Sequence, residues 1–373
     1  MAHSHVDPDG LMEFSVVFTD RSLNHMSAVF QQVMRDISGM LKDVYKADHV
    51  AIVPGGGTYG MEAVARQFGA DAHALIVRNG WFSYRWTQIF DAGQFTAQTT
   101  VFKARQAGND TRAPFAPAPI EDVTQAIREA RPDVVFAPHV ETSAGIILPD
   151  DYITQLAAAA HEVGALMVLD CIASGCVWVD MAATGVDVLI SAPQKGWSAS
   201  PSAGLVMMSN RAKERLEATT SNSFAIDLKK WSSIMEAYEN GGHAYHATMP
   251  TDALRAFRDT MVETRDYGFD KLRDAQWELG NAVRDMLREK GIKSVAAEGY
   301  GAPGVVVSYT DDPDIQNGKK FAALGMQIAA GVPLQCDEPS DFRTFRLGLF
   351  GLDKLYDVAG TVERLRGVVD QVL

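Results

Sequence analysis

SAPQKGWSASPSAG, residues 191–204, is the stretch whose reading decides the fold. An apolar run at 186–190 precedes it and reads as a buried strand. Gly196, Ser198, Ser200, Pro201, Ser202 and Gly204 then form a small, turn-prone loop, and a second apolar run resumes at 205–208. Lys195 therefore leaves a buried strand into a tight loop, a confined and poorly solvated place. Desolvation lowers an amine's pKa, and a neutral amine is the nucleophile that a Schiff base requires. The alternative is a surface lysine in a strand-to-strand turn, since buried lysines are rare. The residues around Lys195 in the fold have to decide between the two.

Working outward, the chain alternates strand-length apolar runs with helical patterns. The runs lie at 50–53, 74–77, 134–137, 166–169 and 188–190, and the helices at 25–46, 61–68, 120–129 and 151–163. Fully apolar strands joined by helices predict an α/β fold with a mostly parallel sheet covered on both faces. Residues 1–20 read as an arm, with a turn at 7–10 and a short strand at 14–18. The stretch 113–119 reads as a loop. Near 249–251 the texture changes. A long charged amphipathic helix, 252–290, leads into a shorter region with strands near 305–309 and 345–349. The expected organisation is an arm (1–20), a large domain (21–266) and a small C-terminal α+β domain (267–373).

Composition sets the outer bounds. The chain has 373 residues, 47% hydrophobic and 22% charged, enough for one large core and a second smaller one. A net charge of -13 makes nucleic acid and acidic membrane surfaces poor partners. Cys171, Cys176 and Cys336 have neither metal-ligand spacing nor a disulfide framework, which fits a reducing cytoplasm. The first residues lack a basic stretch followed by an apolar one, so no signal peptide is expected. No apolar run approaches the roughly 20 residues of a membrane span.

In an open parallel sheet, ligands bind at the carboxyl ends of the strands. Five strand ends here carry chemistry. PGGGTYGME (54–62) follows the first run; its glycines and the helix after it suit an anion. RNGWFSYRW (78–86) brings Trp81 and Phe82 close behind a strand, able to stack on a flat ring or simply to fill core. PHVETSAG (138–145) brings a histidine, a carboxylate and two hydroxyls, and His139 taken alone reads as a satisfied structural residue. Asp170 ends the fourth run, where a buried carboxylate needs a partner. Lys195 is the fifth. A lysine, an acid and an anion cradle on one sheet edge match the needs of pyridoxal phosphate.

At this point the chain resembles the class V aminotransferases of the fold-type I pyridoxal-phosphate enzymes, and within them the alanine–glyoxylate and serine–pyruvate aminotransferase group. The likeness runs from about residue 25 to 351. It is carried by the glycine cradle, the aromatic, Glu-Thr-Ser, the segment Asp170–Cys171–Ile172–Ala173–Ser174, the Gln194–Lys195 pair and FRLGLFG (345–351), in that order. The resemblance implies a large domain with a seven-stranded, mostly parallel sheet and a smaller α+β domain. It assigns the cofactor phosphate to Gly56, Gly57 and Thr58, ring stacking to Phe82, and a ring contact to Thr142. Asp170 would pair with the pyridine nitrogen, Ile172 would cover the other face, and Gln194 would bond near the phenolic oxygen or phosphate. Lys195 would form the Schiff base and, once freed, serve as general base and acid. Tyr245 and Thr248 in YHATMP (245–250) would reach the phosphate of a second subunit, which implies a homodimer with shared sites. Arg346 would grip the substrate carboxylate, with Arg343 as the fallback. The implied reaction moves an amino group from a small amino acid to a 2-oxo acid such as glyoxylate or pyruvate.

The chain departs from that pattern in two places. Residues 7–21 stand where the family has a glycine- and proline-rich loop, and Trp197 adds bulk after the lysine; both bear on substrate choice. A cysteine desulfurase or related lyase of the same fold is the nearest rival, with Cys336 as its sulfur carrier. Against it, Phe82 and Gln194 replace the histidines typical of those enzymes. A non-enzymatic binding protein that keeps the fold is a third reading, opposed by the filled catalytic positions.

Overall fold

The computed structural model describes residues 6–108 and 110–373. Residues 1–5 of the expected arm lie outside the described residues. Among the latter, the apolar runs become neighbours in one seven-stranded sheet. Its order is β1 (His49–Pro54), β7 (Ala203–Met208), β6 (Val188–Ser191), β5 (Leu166–Asp170), β4 (Val134–Pro138), β2 (His73–Arg78) and β3 (Gln98–Lys103). Neighbours from β6 through β3 are parallel, while β7 runs antiparallel to both β1 and β6. The α/β sheet expected from the sequence is therefore present, with one reversed strand. The edge strand β3 escaped the sequence reading because none of its residues is fully buried, so its apolar signal is weak.

Helices cover both faces. Helix α1 (Ala28–Tyr45) starts at Ser27, whose side chain accepts from Phe30 N–H, and buries Phe30, Val33, Ile37 and Leu41. Helix α2 (Gly57–Phe68) lies directly on β7. Their contact is glycine on glycine: a Cβ on Gly204 would stand 2.6 Å from the Gly60 nitrogen. That close approach holds the N-terminus of α2 at the carboxyl edge of the sheet. Helix α3 (Trp81–Gly93) follows β2, α4 (Ile120–Ala130) precedes β4, and α5 (Asp150–Glu162) precedes β5.

The long helix expected over 252–290 is two helices, α6 (Thr251–Tyr267) and α7 (Phe269–Glu289). The break is Gly268, at φ 113° and ψ 122°, a backbone conformation that side-chain-bearing residues rarely adopt. The charge pattern runs on through the break, so only the glycine marks it. The large core reaches Met261, and a separate core, joined from the buried residues of the large domain only by Cys176, takes up the chain again at Leu272. We propose the domain boundary between them, near residue 266. Beyond it, β8 (Val305–Tyr309), β10 (Thr344–Gly348) and β9 (Ala329–Ala330) form an antiparallel sheet, and α8 (Val358–Val372) packs on α7.

Two further expectations need correction. The strand expected at 14–18 does not form. Phe14 and Val16 are exposed, and the Ser15 N–H goes to the Glu13 carboxylate instead of a neighbouring strand. The turn at 7–10 is present, closed by Gly10 N–H to Asp7 O. Trp197 does not face a substrate. It is buried among Tyr45, Trp178, Phe257 and Phe269. Truncating such a core aromatic costs roughly 3–5 kcal/mol, so packing explains its bulk. No described helix is long and apolar enough to cross a membrane.

Candidate active site

At the carboxyl ends of the strands lies a cleft of about 400 Å³. Gly57, Thr58, Phe82, Thr142, Asp170, Ile172, Gln194, Lys195 and Arg346 all line it. Gly56 adjoins it as the N-cap of α2. Residues separated by up to 289 positions in the chain thus meet in one place, as the strand-end argument expects.

Each wall has a local cause. At α2 the cap residue Gly56 has no side chain, and only the Tyr59 N–H of the first turn is taken, by the Gly56 carbonyl at 2.9 Å, so the Gly57 and Thr58 N–H groups are left for an external acceptor. A Cβ on Gly56 would meet nothing within 4 Å, which leaves room there for an anion. A Cβ on Gly57 would collide with Ile172 Cδ1 at 2.6 Å, so glycine lets Ile172 close over the helix end. Phe82 sits in the first turn of α3, whose N-terminus is held by Glu141. That buried carboxylate accepts from Phe82 N–H (3.2 Å), Ser83 N–H (2.8 Å) and the Ser83 and Ser143 hydroxyls (2.7 and 2.8 Å). A negative group at a helix N-terminus is favourable, and this one also fixes the angle of Phe82.

Asp170 ends β5, in register with Pro138 of β4 and Ile190 of β6. Its Oδ1 accepts from Ile172 N–H at 2.9 Å, and it forms no ion pair among the described residues. Burial, reinforced by Glu141, pushes its carboxyl up to about 7, against the opposing pull of the Ile172 N–H and Arg85. Lys195 stands in the turn after β6, pinned where Gly196 presses on Gly175; a Cβ there would lie 2.0 Å from the Gly175 oxygen. Burial and, second, the positive Arg346 lower the Lys195 amine below its ordinary range. Its Nζ lies 5.4 Å from the centre of the Phe350 ring. Arg346, on β10, donates from Nε to the Ala330 carbonyl at 2.7 Å and lies over Phe82 at 5.7 Å. Arg343 does not line the cleft; it donates to the Asp311 carbonyl at the exposed surface.

These features fit the cofactor expected from the sequence. A buried carboxylate lacks a cation, the Gln194 Oε1 is buried without a partner, and an uncapped helix end faces open space. Those are needs that a protonated ring nitrogen, a ring donor and a phosphate would each meet.

Sequence reasoning assigned no role to two side chains that line the cleft, Arg85 and Phe350, nor to the buried Glu141 that holds the helix of Phe82 from behind. Arg85 donates to Thr58 Oγ1 at 2.9 Å and lies 5.2 Å from the Phe82 ring centre. Reading a helix over 81–93 would have found it, one turn after Phe82. His139 is buried, bonded through Nδ1 to Ser174 Oγ at 2.7 Å, and pushed down to about 4 by burial. It is a neutral structural group. Tyr245 and Thr248 do not line the cleft; they bond each other at 3.1 Å, with the Tyr245 ring exposed. Cys336 is 5% exposed, its Sγ lies 3.4 Å from the Arg78 oxygen, and burial pushes its thiol up to about 12.

With the geometry established, comparison with known proteins adds the following. The family described as Aminotransferase class-V matches residues 13–303. Alanine–glyoxylate aminotransferase 1 of Saccharomyces cerevisiae is 25% identical over 330 residues, which cover 83% of this chain and 82% of that protein. A 2-aminoethylphosphonate–pyruvate transaminase of Paraburkholderia phymatum is 24% identical over 351 residues, covering 92% and 90%. The solved structure of an alanine–glyoxylate aminotransferase from Nostoc sp. matches with a TM-score of 0.78 at 22% identity, covering 93% of this chain and 88% of that one. At that identity the structural likeness concerns the fold.

Proposed function

This chain belongs to the class-V aminotransferase family and is a pyridoxal-phosphate-dependent transaminase; from that premise we propose that it moves an amino group from a small amino acid of the alanine or serine type to glyoxylate or pyruvate. The observation that carries the reading is the meeting of Lys195, Asp170 and Arg346 in one cleft. The relatives named for alanine–glyoxylate and aminoethylphosphonate–pyruvate transfer support the acceptor.

When bound, pyridoxal phosphate supplies an electron sink for negative charge at the substrate α-carbon. Gly56, Gly57 and Thr58 would hold its phosphate, Phe82 and Ile172 its two faces, Asp170 its ring nitrogen, and Thr142 and Gln194 its remaining polar edge. Lys195 is the attachment point, and its depressed basicity keeps a larger share of the amine neutral and nucleophilic. Freed by the incoming amine, Lys195 takes the proton from the substrate α-carbon and returns one in the reverse half. Arg346 binds the substrate carboxylate through its planar fork and so orients the α-hydrogen toward Lys195. Asp170 keeps its negative charge once a positive partner faces it. Burial of the Cys336 thiol weighs against sulfur transfer, because a sulfur carrier needs an accessible thiolate.

The test is a panel of amino donors against glyoxylate and pyruvate, with products identified by mass. Alanine or serine is expected to support transfer, and Cys336→Ser is expected to stay within a few-fold of wild type. Sulfide release from cysteine, lost in Cys336→Ser, would replace this reading with desulfuration.

The working unit we propose is a homodimer in which Tyr245 and Thr248 reach the partner's phosphate site. Their exposure, and their absence from their own cleft, support it. Mixing Lys195→Ala with a Tyr245→Phe, Thr248→Ala double variant should regenerate activity, because one site of each mixed dimer then carries neither lesion. A fully active monomer in sedimentation would exclude it.

A further inference from the structure

A second cavity, larger than the strand-end cleft, lies apart from it. It measures about 890 Å³ and shares no lining residue with the strand-end cleft. Its floor is α7, and its far wall is the hairpin that joins Arg105–Gln106 to Phe115–Ala116. That hairpin leaves the large sheet and docks on the loop after α7 through a bridge from Phe115 to Ala296. The cavity is thus walled by both halves of the molecule. It also backs onto the active site: on β8, Val305 lines one cleft and its neighbour Val306 the other.

The charge in this cavity is unbalanced. Arg112, Arg284, Arg288 and Lys293 line it, against Asp110 and Glu298. Three of the cations have partners in the protein. Lys293 pairs with Asp110 at 2.5 Å, Arg288 with Asp285 at 2.7 Å, and Arg112 with Asp311. Arg284 has no ion pair among the described residues. Its guanidinium donates to the Ala302 carbonyl, and Gly301 closes on it so tightly that a Cβ there would lie 2.6 Å from Nε. Burial lowers this guanidinium to about 10, with Asp285 opposing. An unpaired cation held in a poorly solvated place is costly, and an anion brought in by a ligand offsets that cost. Trp277, Leu287, Ile292 and Val306 supply apolar surface beside it, and the volume suits a small molecule.

We propose that this cavity is a second ligand site, taking a small organic anion whose carboxylate or phosphate sits on Arg284 and whose apolar body lies against Trp277. A planar guanidinium presents the parallel donors that both anions accept. The test is calorimetric titration of the holoenzyme with phenyl phosphate, benzoate and the neutral benzyl alcohol. At least one anion is expected to bind wild type more tightly than benzyl alcohol, and the tighter of the two assigns the class. Arg284→Met should weaken that binding at least about tenfold, the scale of a lost charge-assisted bond. Asn281→Trp, which fills the cavity from an exposed position on α7, should weaken it likewise and keeps the test open if Arg284→Met fails to fold. Arg346→Met should leave it unchanged. The proposal is overturned if neither anion binds wild type at millimolar concentration. It is equally overturned if a folded Arg284→Met, or Asn281→Trp, binds as wild type does, or if the heat disappears in Arg346→Met.

Discussion

Lys195→Ala is expected to abolish amino transfer, with a loss at least on the order of 10⁴-fold, the upper end for a missing proton-transfer group. In the proposed mechanism the same atom attaches the cofactor and moves the α-proton, so no second residue would cover for it. The fold should survive. Lys195 makes no ion pair among the described residues, and the turn that carries it is held by Gly196 against Gly175 and by Ser198, whose hydroxyl accepts from Leu352 N–H at 2.8 Å. Borohydride reduction of the wild-type holoenzyme followed by peptide mass should leave the cofactor on the peptide containing Lys195. An adduct on any other lysine, or an active Lys195→Ala enzyme, would remove the assignment. Circular dichroism of the variant separates chemical loss from unfolding.

Asp170→Asn is expected to lower the rate of the first half-reaction on the order of 10²-fold or more, as for other preorganised electrostatic groups. The amide keeps the shape and loses the fixed charge that would hold the ring nitrogen protonated. A second readout needs no cofactor. In the cofactor-free protein the Asp170 carboxyl is raised by burial to about 7, above its unfolded value near 4. Between those values the folded state binds more protons than the unfolded one. Stability from this group is therefore full below about pH 4 and falls as pH rises through about 7. Cofactor-free Asp170→Asn should lose that decline. Denaturation midpoints of the two cofactor-free proteins at pH 5 and pH 8 measure the difference. Parallel curves would contradict the burial argument, and wild-type half-reaction rates would contradict the role.

Arg85 illustrates how a site residue hides. Its neighbours in sequence are aromatic, and RNGWFSYRW reads equally as core or as a stacking surface. Only the helix that begins at Trp81 turns Phe82 and Arg85 toward one side, and that helix depends on Glu141, which accepts from its first turn 58 residues away. Glycine at 80 is part of the same arrangement, since a Cβ there would lie 2.1 Å from Ser143 Oγ. Trp197 failed in the opposite direction. Next to the lysine in sequence, it turns into the core, where four aromatic partners from other elements surround it.

The sequence by itself determined the parallel sheet, because strands buried on both faces must be continuous apolar runs, and such runs are visible without coordinates. It also determined which residues stand at the strand ends, since a polar group that ends an apolar run has nowhere else to be. Tertiary structure alone decided what lies between those ends. The half-buried edge strand Gln98–Lys103, the break at Gly268 in a charge pattern that continues past it, and the placement of Arg346 rather than Arg343 at the cleft all depend on distant contacts. So does the unpaired charge of Arg284, which is one more helix arginine until the hairpin and Gly301 close around it. Burial and partner choice are set by segments far apart in the chain, and periodicity over a dozen residues carries no record of them.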